Sequence, residues 1–297
     1  MADEHFSYGG QAIIEGVMIR GRKGYATAVR LSSGEVEVAA HPWEPLTKRH
    51  RLLNLPVVRG TPALIDALVV GYRSLIASAD AVSRGEGIKP PSPWHYAISI
   101  VAALTIAIGG FVLLPSAVIP SHHQQTLGTV ITKNLVEGLI RLTVFVLFIF
   151  LASLMPDMRR VFQYHGAEHK VIHAYEGVGR YGPEDAERYG TLHQRCGTSF
   201  IFMVLFVGIL VHALLGWPPL AWRLLSRLLV LPIVAGLAYE LIKLAGAHKS
   251  SLLLRALVAP GMLLQRITTR QPSPDQVEVA IRALDGALEL DGAKAPA

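Results

Sequence analysis

The residues best equipped for chemistry lie in one run, VFQYHGAEHKVIHAYE, at positions 161–176, which carries His165, Glu168, His169, His173 and Glu176. At 3.6 residues per turn, these five side chains fall within an arc of roughly 140° on one face of a helix. Three imidazoles and two carboxylates so grouped suit a divalent cation, zinc foremost. His165-x-x-Glu168-His169 also reads as the inverted zinc-protease motif. It has two ligands one turn apart and a glutamate placed to act as general base on a metal-bound water. A solvated polar helix can carry His and Glu for no chemical reason. The addition of His173 and Glu176 on the same side favours the metal.

A catalytic zinc needs a third ligand and an open position. Glu240, in LAYELIKLAGAH, is the leading candidate because it ends an apolar segment, where a charge is costly unless paired or functional. Lys243 or a nearby Arg would be its partner in a purely structural role. His248 lies roughly two turns further on, and His173 and Glu176 are alternatives on the histidine helix itself. In HQRCGTSF, His193 and Cys196 form an H-x-x-C pair. That pair could bind metal, or Cys196 could be a nucleophile beside a histidine; a small packed residue is the simpler role. Glu15, between apolar residues and Gly16, is either a further candidate acid or a paired structural carboxylate.

These residues must be positioned by a membrane protein. The chain has 297 residues, of which 51% are hydrophobic and only 17% charged, and its mean hydropathy is +0.39. Such values are far from those of a soluble protein of this size. The net charge of +6 suits contact with anionic lipid or nucleic acid, and its placement favours lipid, without specific nucleic-acid recognition. A single cysteine excludes an internal disulfide framework. No secretory leader is visible in the first ninety residues.

The sequence predicts a mainly α, polytopic fold with four transmembrane helices, a small N-terminal β-containing region and amphipathic helices. Residues 1–55 form a Gly-rich β region in which YATAVRLSSGEVEVAA alternates as a hairpin turning at Ser33-Gly34. Its glycines do not have the spacing of a nucleotide-binding loop and serve turns or close packing. Residues 56–93 hold an amphipathic helix capped at Thr61-Pro62, whose apolar stripe (Leu64, Ile65, Leu68, Tyr72, Leu75, Ile76 and Ala79) would lie on the membrane surface or pack against the spans, then a linker from Ser83 to Pro93. A transmembrane hairpin occupies 94–155, with spans at about 96–114, or on to 119, and 135–155, and a local Glu137–Arg141 ion pair. The histidine loop follows at 156–198. A second hairpin occupies 199–247, with spans at 199–217 and 224–245, the latter kinked or broken near Pro232. His212 sits in the third span as a hydrogen-bonded core residue.

Residues 248–297 form interfacial and cytoplasmic helices. SLLLRALVAPGMLLQRI is a helix pair hinged at Pro260-Gly261, and a further helix over 271–290 begins with a capping box, Ser273 and Gln276. Residues after Asp291 fray. Basic residues crowd the stretch before the first span, the histidine loop and the C-terminal region, while the loop after the first span has only Lys133. Both termini and the histidine loop are therefore expected in the cytoplasm. His122-His123 would lie on the opposite side, away from the site.

Four ordered blocks, GGQAIIEGVMIRG, YHGAEHKVIHAYE, HQRCGTSF and YELIKLAGAH, resemble the YqhQ family, and the resemblance extends from about Tyr8 to Leu290. These are multi-pass bacterial membrane proteins of unknown function described as predicted metal-dependent enzymes. The resemblance implies a bacterial cytoplasmic (inner) membrane location and a metal role for His165, Glu168 and His169. The leading expectation is a metal-dependent hydrolase acting on a lipid-linked or peptide substrate at the cytoplasmic leaflet. The alternative is a non-catalytic scaffold for membrane-protein insertion or assembly, with a structural His/Glu site. Its partners would be membrane proteins, a homo-oligomer, or translocation or ribosomal machinery. A transporter using Glu240 is a weaker reading, because four spans without an inverted repeat leave little room for a pathway.

Overall fold

The computed structural model describes residues 7–119, 126–194, 196–248 and 250–292. The N-terminal region is a four-stranded antiparallel meander, β1 Gly9–Ile13, β2 Gly16–Arg20, β3 Gly24–Arg30 and β4 Val36–Pro42, paired in chain order. The β3–β4 hairpin turns at Gly34, whose φ of +89° costs an L side chain but not glycine. This is the turn expected from the alternation.

Eight longer helices follow: α1 Gly60–Gly85, α2 Pro93–Val118, α3 Leu127–Leu154, α4 Pro156–Val178, α5 Gly197–Leu214, α6 Leu220–Ala247, α7 Leu252–Thr268 and α8 Pro274–Asp291. The strands β2 and β3 are buried on both faces. One face (Val17, Ile19, Ala26, Ala28) packs on α4 and α8; the other (Ile13, Met18, Tyr25, Val29) packs on Val70 and Ala81 of α1. The period-2 alternation thus serves two cores instead of one core and water. The capping box of α8 forms as expected, and Val277, Ala280, Leu284 and Leu288 dock on the chain's own sheet.

Four spans were expected, whereas the described residues include five helices long and apolar enough to cross a membrane: α1, α2, α3, α5 and α6. The addition is α1. Its polar side turns into the protein, where buried Asp66 accepts from the Leu46 N–H at 2.8 Å and Ser78 Oγ accepts from the Ile14 N–H at 3.2 Å. Its apolar residues Ile65, Leu68 and Leu75 are left facing outward. The helix begins at Gly60, so Thr61 is not its cap; the Thr61 hydroxyl instead donates to Pro232 O at 3.1 Å. It also runs on to Gly85, into the expected linker.

Other boundaries shift for local reasons. A capping box at Thr126 starts α3 earlier than hydropathy indicates. Neither proline breaks its helix: α6 continues through Pro232, and α7 is one helix through Pro260, not a hinged pair. Gly261 lets α7 pack tightly on α5, since a Cβ there would lie 3.0 Å from Ser199 Cα. His212 is not the hydrogen-bonded core residue expected, because its Nε2 has no partner among the described residues. His122-His123 and the chain end after Gly292 lie outside the described residues.

The sheet, α4 and α8 form one packed body, so the N-terminal sheet, the histidine helix and the C-terminal helix share one side of any membrane.

Candidate functional site

Helix α4 carries the histidine run. Pro156 opens it at the first turn and Gly179, at φ +69°, ends it in the left-handed cap. The polar face is not turned to water: Glu168 is 4% exposed and His169 2%. Gly166 sits where the chain beyond α7 crosses α4, and the Arg270 N–H donates to Phe162 O at 2.9 Å. A Cβ at 166 would come within 2.0 Å of Arg270 O. Only glycine permits that crossing.

The crossing sets the tautomer of His165. Its Nδ1–H donates to Thr268 O at 2.8 Å. His169 is held in the same way, Nδ1–H donating to Thr191 O. Both rings therefore present an Nε2 lone pair, as metal-binding histidines do when a carbonyl holds the other nitrogen. Cys196 completes the group, its Sγ 3.2 Å from His165 Nε2. The ligand atoms of His165, His169 and Cys196 all lie within 4.8 Å of one another. Tetrahedral zinc with N and S ligands separates its donors by about 3.5 Å, so this set needs only a small contraction.

Glu168 stands beside this trio, with Oε2 3.5 Å from His169 Nε2. The Gly10 N–H hydrogen-bonds its carboxylate, and Gly10 comes close because it has no side chain. Burial first of all pushes the Glu168 pKa above the usual carboxylate range, while nearby His165, His193 and the Gly10 amide oppose the shift. Burial likewise lowers the pKa of His169, keeping it neutral and able to ligate. A divalent cation beside Glu168 would restore its charged form.

The remaining expected residues divide. His173 and His193 face each other with ring centroids 4.6 Å apart, and Glu176 Oε2 lies 3.7 Å from His193 Nε2. This second group adjoins the first through His169 and His193, whose centroids are 5.5 Å apart. Burial, then the adjacent imidazoles, lowers the pKa of His173 to about 4.

Glu240 is engaged elsewhere. Arg59 holds it through two contacts, Nε–Oε1 at 2.6 Å and Nη2–Oε2 at 2.5 Å, and the Val57 N–H donates to Oε1 at 3.1 Å. An Arg, not Lys243, is its hydrogen-bonded partner. Glu15, at φ +50° in the β1–β2 turn, pairs with both Arg160 nitrogens Nε and Nη2 and accepts from Tyr164 Oη at 3.2 Å. It is a paired structural carboxylate. Exposed His248 makes a local contact with Leu244 O at 3.2 Å.

Sequence reasoning passed over Gly10, Thr191 and Thr268, the backbone groups that orient the site. Only the cluster of Gly9 and Gly10 hinted that a backbone must approach something closely.

His169 and Cys196 of the trio line a cavity of about 410 Å³, together with Gly10, Arg20, Glu168 and His193. A second, more apolar cavity of about 750 Å³ lies between α1, α5 and α6, lined by Leu64, Phe200, Ile242 and Lys243. The two share Ser7, Ala67 and Tyr239 in their walls.

The profile of a family described as "Protein of unknown function (DUF1385)" matches residues 55–290. The chain belongs to this family. It is also 31% identical over 296 residues to the uncharacterized protein YqhQ of Bacillus subtilis (strain 168), covering 96% of this chain and 93% of that one. The YqhQ resemblance read from the four sequence blocks is thereby shown. No solved structure matches the chain. The family match begins at residue 55 and so takes in the whole of α4, Cys196 and Glu240, while the identity to YqhQ extends across the sheet as well.

Proposed function

We propose that this family member is a metal-dependent hydrolase embedded in the bacterial cytoplasmic membrane, with both termini and the site on the cytoplasmic side. His165, His169 and Cys196 would hold a divalent ion, zinc foremost. The observation that carries this reading is the pair of Nδ1–carbonyl bonds that leave two Nε2 lone pairs facing one thiol. Three protein ligands with a fourth position toward a cavity is the pattern of catalytic zinc, which supplies a water acidic enough to lose its proton near pH 7.

Glu168 is the general base. Anchored by the Gly10 amide, its carboxylate takes the proton of the attacking water and returns it to the leaving group as that bond breaks. His169 is kept neutral by burial, and Thr191 O keeps its ring from turning. The adjoining apolar cavity supports a lipid-linked substrate, with its polar end beside Glu168 and its apolar part between α1, α5 and α6. Arg20 and Lys243 supply positive charge in the walls of the two cavities.

Metal quantification on the purified full chain tests this reading. Near-stoichiometric zinc in the wild type, lost in His165→Ala, His169→Ala and Cys196→Ser but kept in Glu168→Gln, is the expected result. Absence of any divalent ion from protein purified without chelator, together with unchanged stability in His169→Ala, would defeat it.

One observation favours the scaffold alternative: Leu52, Leu55 and Val58 are exposed beside Lys48, Arg49 and Arg51, outside the apolar helices. Such a basic and apolar surface fits a membrane-protein partner or translocation or ribosomal machinery. Crosslinking to such a partner, with Glu168→Gln leaving the chain's cellular role intact, would select this reading over hydrolysis.

A further inference from the structure

Arg20 ends β2 opposite Gly9 of β1, and it lines the cavity that also holds Glu168, His169 and Cys196. Among the described residues its guanidinium forms one ion pair, Nη2 to Asp66 Oδ2 at 3.8 Å, and no hydrogen bond. At that separation the charges attract, but no N–H is taken up. Asp66 is 1% exposed and does not line the cavity, whereas the Arg20 side chain is 28% exposed and does. The pair therefore offers the cavity its positive member, with N–H groups available.

That availability sets Arg20 apart. A guanidinium carries five donors in a planar fork that matches the oxygens of a phosphate or carboxylate. Arg59 and Arg160 each close the fork on a carboxylate of this chain, Glu240 and Glu15. Arg20 has no such acceptor among the described residues.

The space beside it continues into apolar walls. Asp66 is followed in α1 by Ala67, which lines both the 410 Å³ cavity and the larger one of about 750 Å³. Tyr239 of α6 also lines both, and its hydroxyl makes no hydrogen bond among the described residues. Leu64, Phe200 and Ile242 wall the larger cavity, and Lys243 is its one charged residue among those described. Cavities of this size hold ligands whose apolar body is fixed by a few polar contacts.

We propose that Arg20 selects the occupant of the joined space, a lipid with a phosphate head group. The phosphate oxygens enter the Arg20 fork beside Glu168, and the hydrocarbon chain lies among Leu64, Phe200 and Ile242. The inference rests on the hydrolase reading only in calling that lipid the substrate; the binding itself needs neither metal nor turnover.

The test is native mass spectrometry of the detergent-solubilised full chain with three probes: tetradecylphosphonate, tetradecanol and methylphosphonate. The first has no ester to cleave, the second lacks the anion and the third lacks the chain. One tetradecylphosphonate per chain is expected, bound roughly tenfold to a hundredfold more tightly than tetradecanol. It should also bind at least roughly tenfold more tightly than methylphosphonate. Arg20→Gln removes the advantage over the alcohol, while the alcohol binds as before. Should that variant fail to fold, because Asp66 loses its partner, a diazirine in the tetradecyl chain of the phosphonate must label α1, α5 or α6 of the wild type at the apolar cavity. Equal binding of phosphonate and alcohol, an advantage that survives in Arg20→Gln, or labelling elsewhere overturns the proposal. So does methylphosphonate binding as tightly as the long-chain probe, which would assign Arg20 to free phosphate. Zinc content is read on the same preparation: zinc without a phosphonate preference defeats this inference alone, and a preference without zinc defeats the hydrolase reading alone.

Discussion

His165 Nε2 lies 3.2 Å from Cys196 Sγ, although 31 residues separate them in the chain. The contact exists because Gly166 admits the chain beyond α7, whose Thr268 carbonyl turns the imidazole toward the start of α5, where Cys196 caps the helix. A lone thiol thereby becomes a candidate ligand instead of a packing residue. Its burial and its histidine partner lead to the first prediction.

Cys196 is only 5% exposed. In protein purified without chelator, its alkylation by iodoacetamide is expected to be slow, and faster by at least roughly tenfold after chelator treatment, because a metal-bound thiolate is withheld from the reagent. Mass spectrometry of the modified peptide reads the rate. Equal rates before and after chelation would count against a metal at Cys196.

Glu240→Gln keeps the side-chain shape but leaves the half-buried Arg59 without its carboxylate. Stability is expected to fall by about 1–3 kcal/mol, while bound metal stays at the wild-type level. Elemental analysis beside a thermal midpoint separates the two effects; metal lost at unchanged stability would return Glu240 to the ligand set.

Gly166→Ala forces a methyl to within 2.0 Å of Arg270 O, a backbone atom that cannot yield cheaply. The expected cost is about 2 kcal/mol or more, with weaker metal binding because the Thr268 contact to His165 is displaced. Gly179→Ala is the control. It meets open space and carries only the strain of φ +69°, about 1 kcal/mol, with metal binding unchanged.

In metal-free protein, His173 titrates near 4 when folded and near 6.5 when unfolded. Between those values the unfolded chain binds the extra proton, so stability is full above about pH 6.5 and declines as the pH falls toward 4. Thermal midpoints across that window should drop less in His173→Gln than in the wild type. Identical pH profiles would show that His173 is not held neutral by the fold.

Much of this could be read along the chain. The 3.6-residue period placed His165 and His169 on one face, and the capping box at Ser273 announced α8, because helix geometry is local. The apolar helices follow from hydropathy, since backbone groups must satisfy one another wherever water is absent. Hydropathy could not show which way α1 faces: its heptad-spaced Asp66 points toward water in an isolated helix but lies under Leu46 and the sheet in the folded chain.

The membrane class, the family blocks and a helix able to offer two imidazoles and a carboxylate are all local properties of the chain. Which neighbours those groups meet depends on packing. It joined Cys196 to His165 and His169, gave Glu240 to Arg59 across 181 residues, and turned His173 toward His193. The physical reason is range: periodicity orients a side chain relative to its own axis, but its partners, tautomer and charge depend on contacts between segments far apart in the chain. Such contacts form only when the helices and sheet pack.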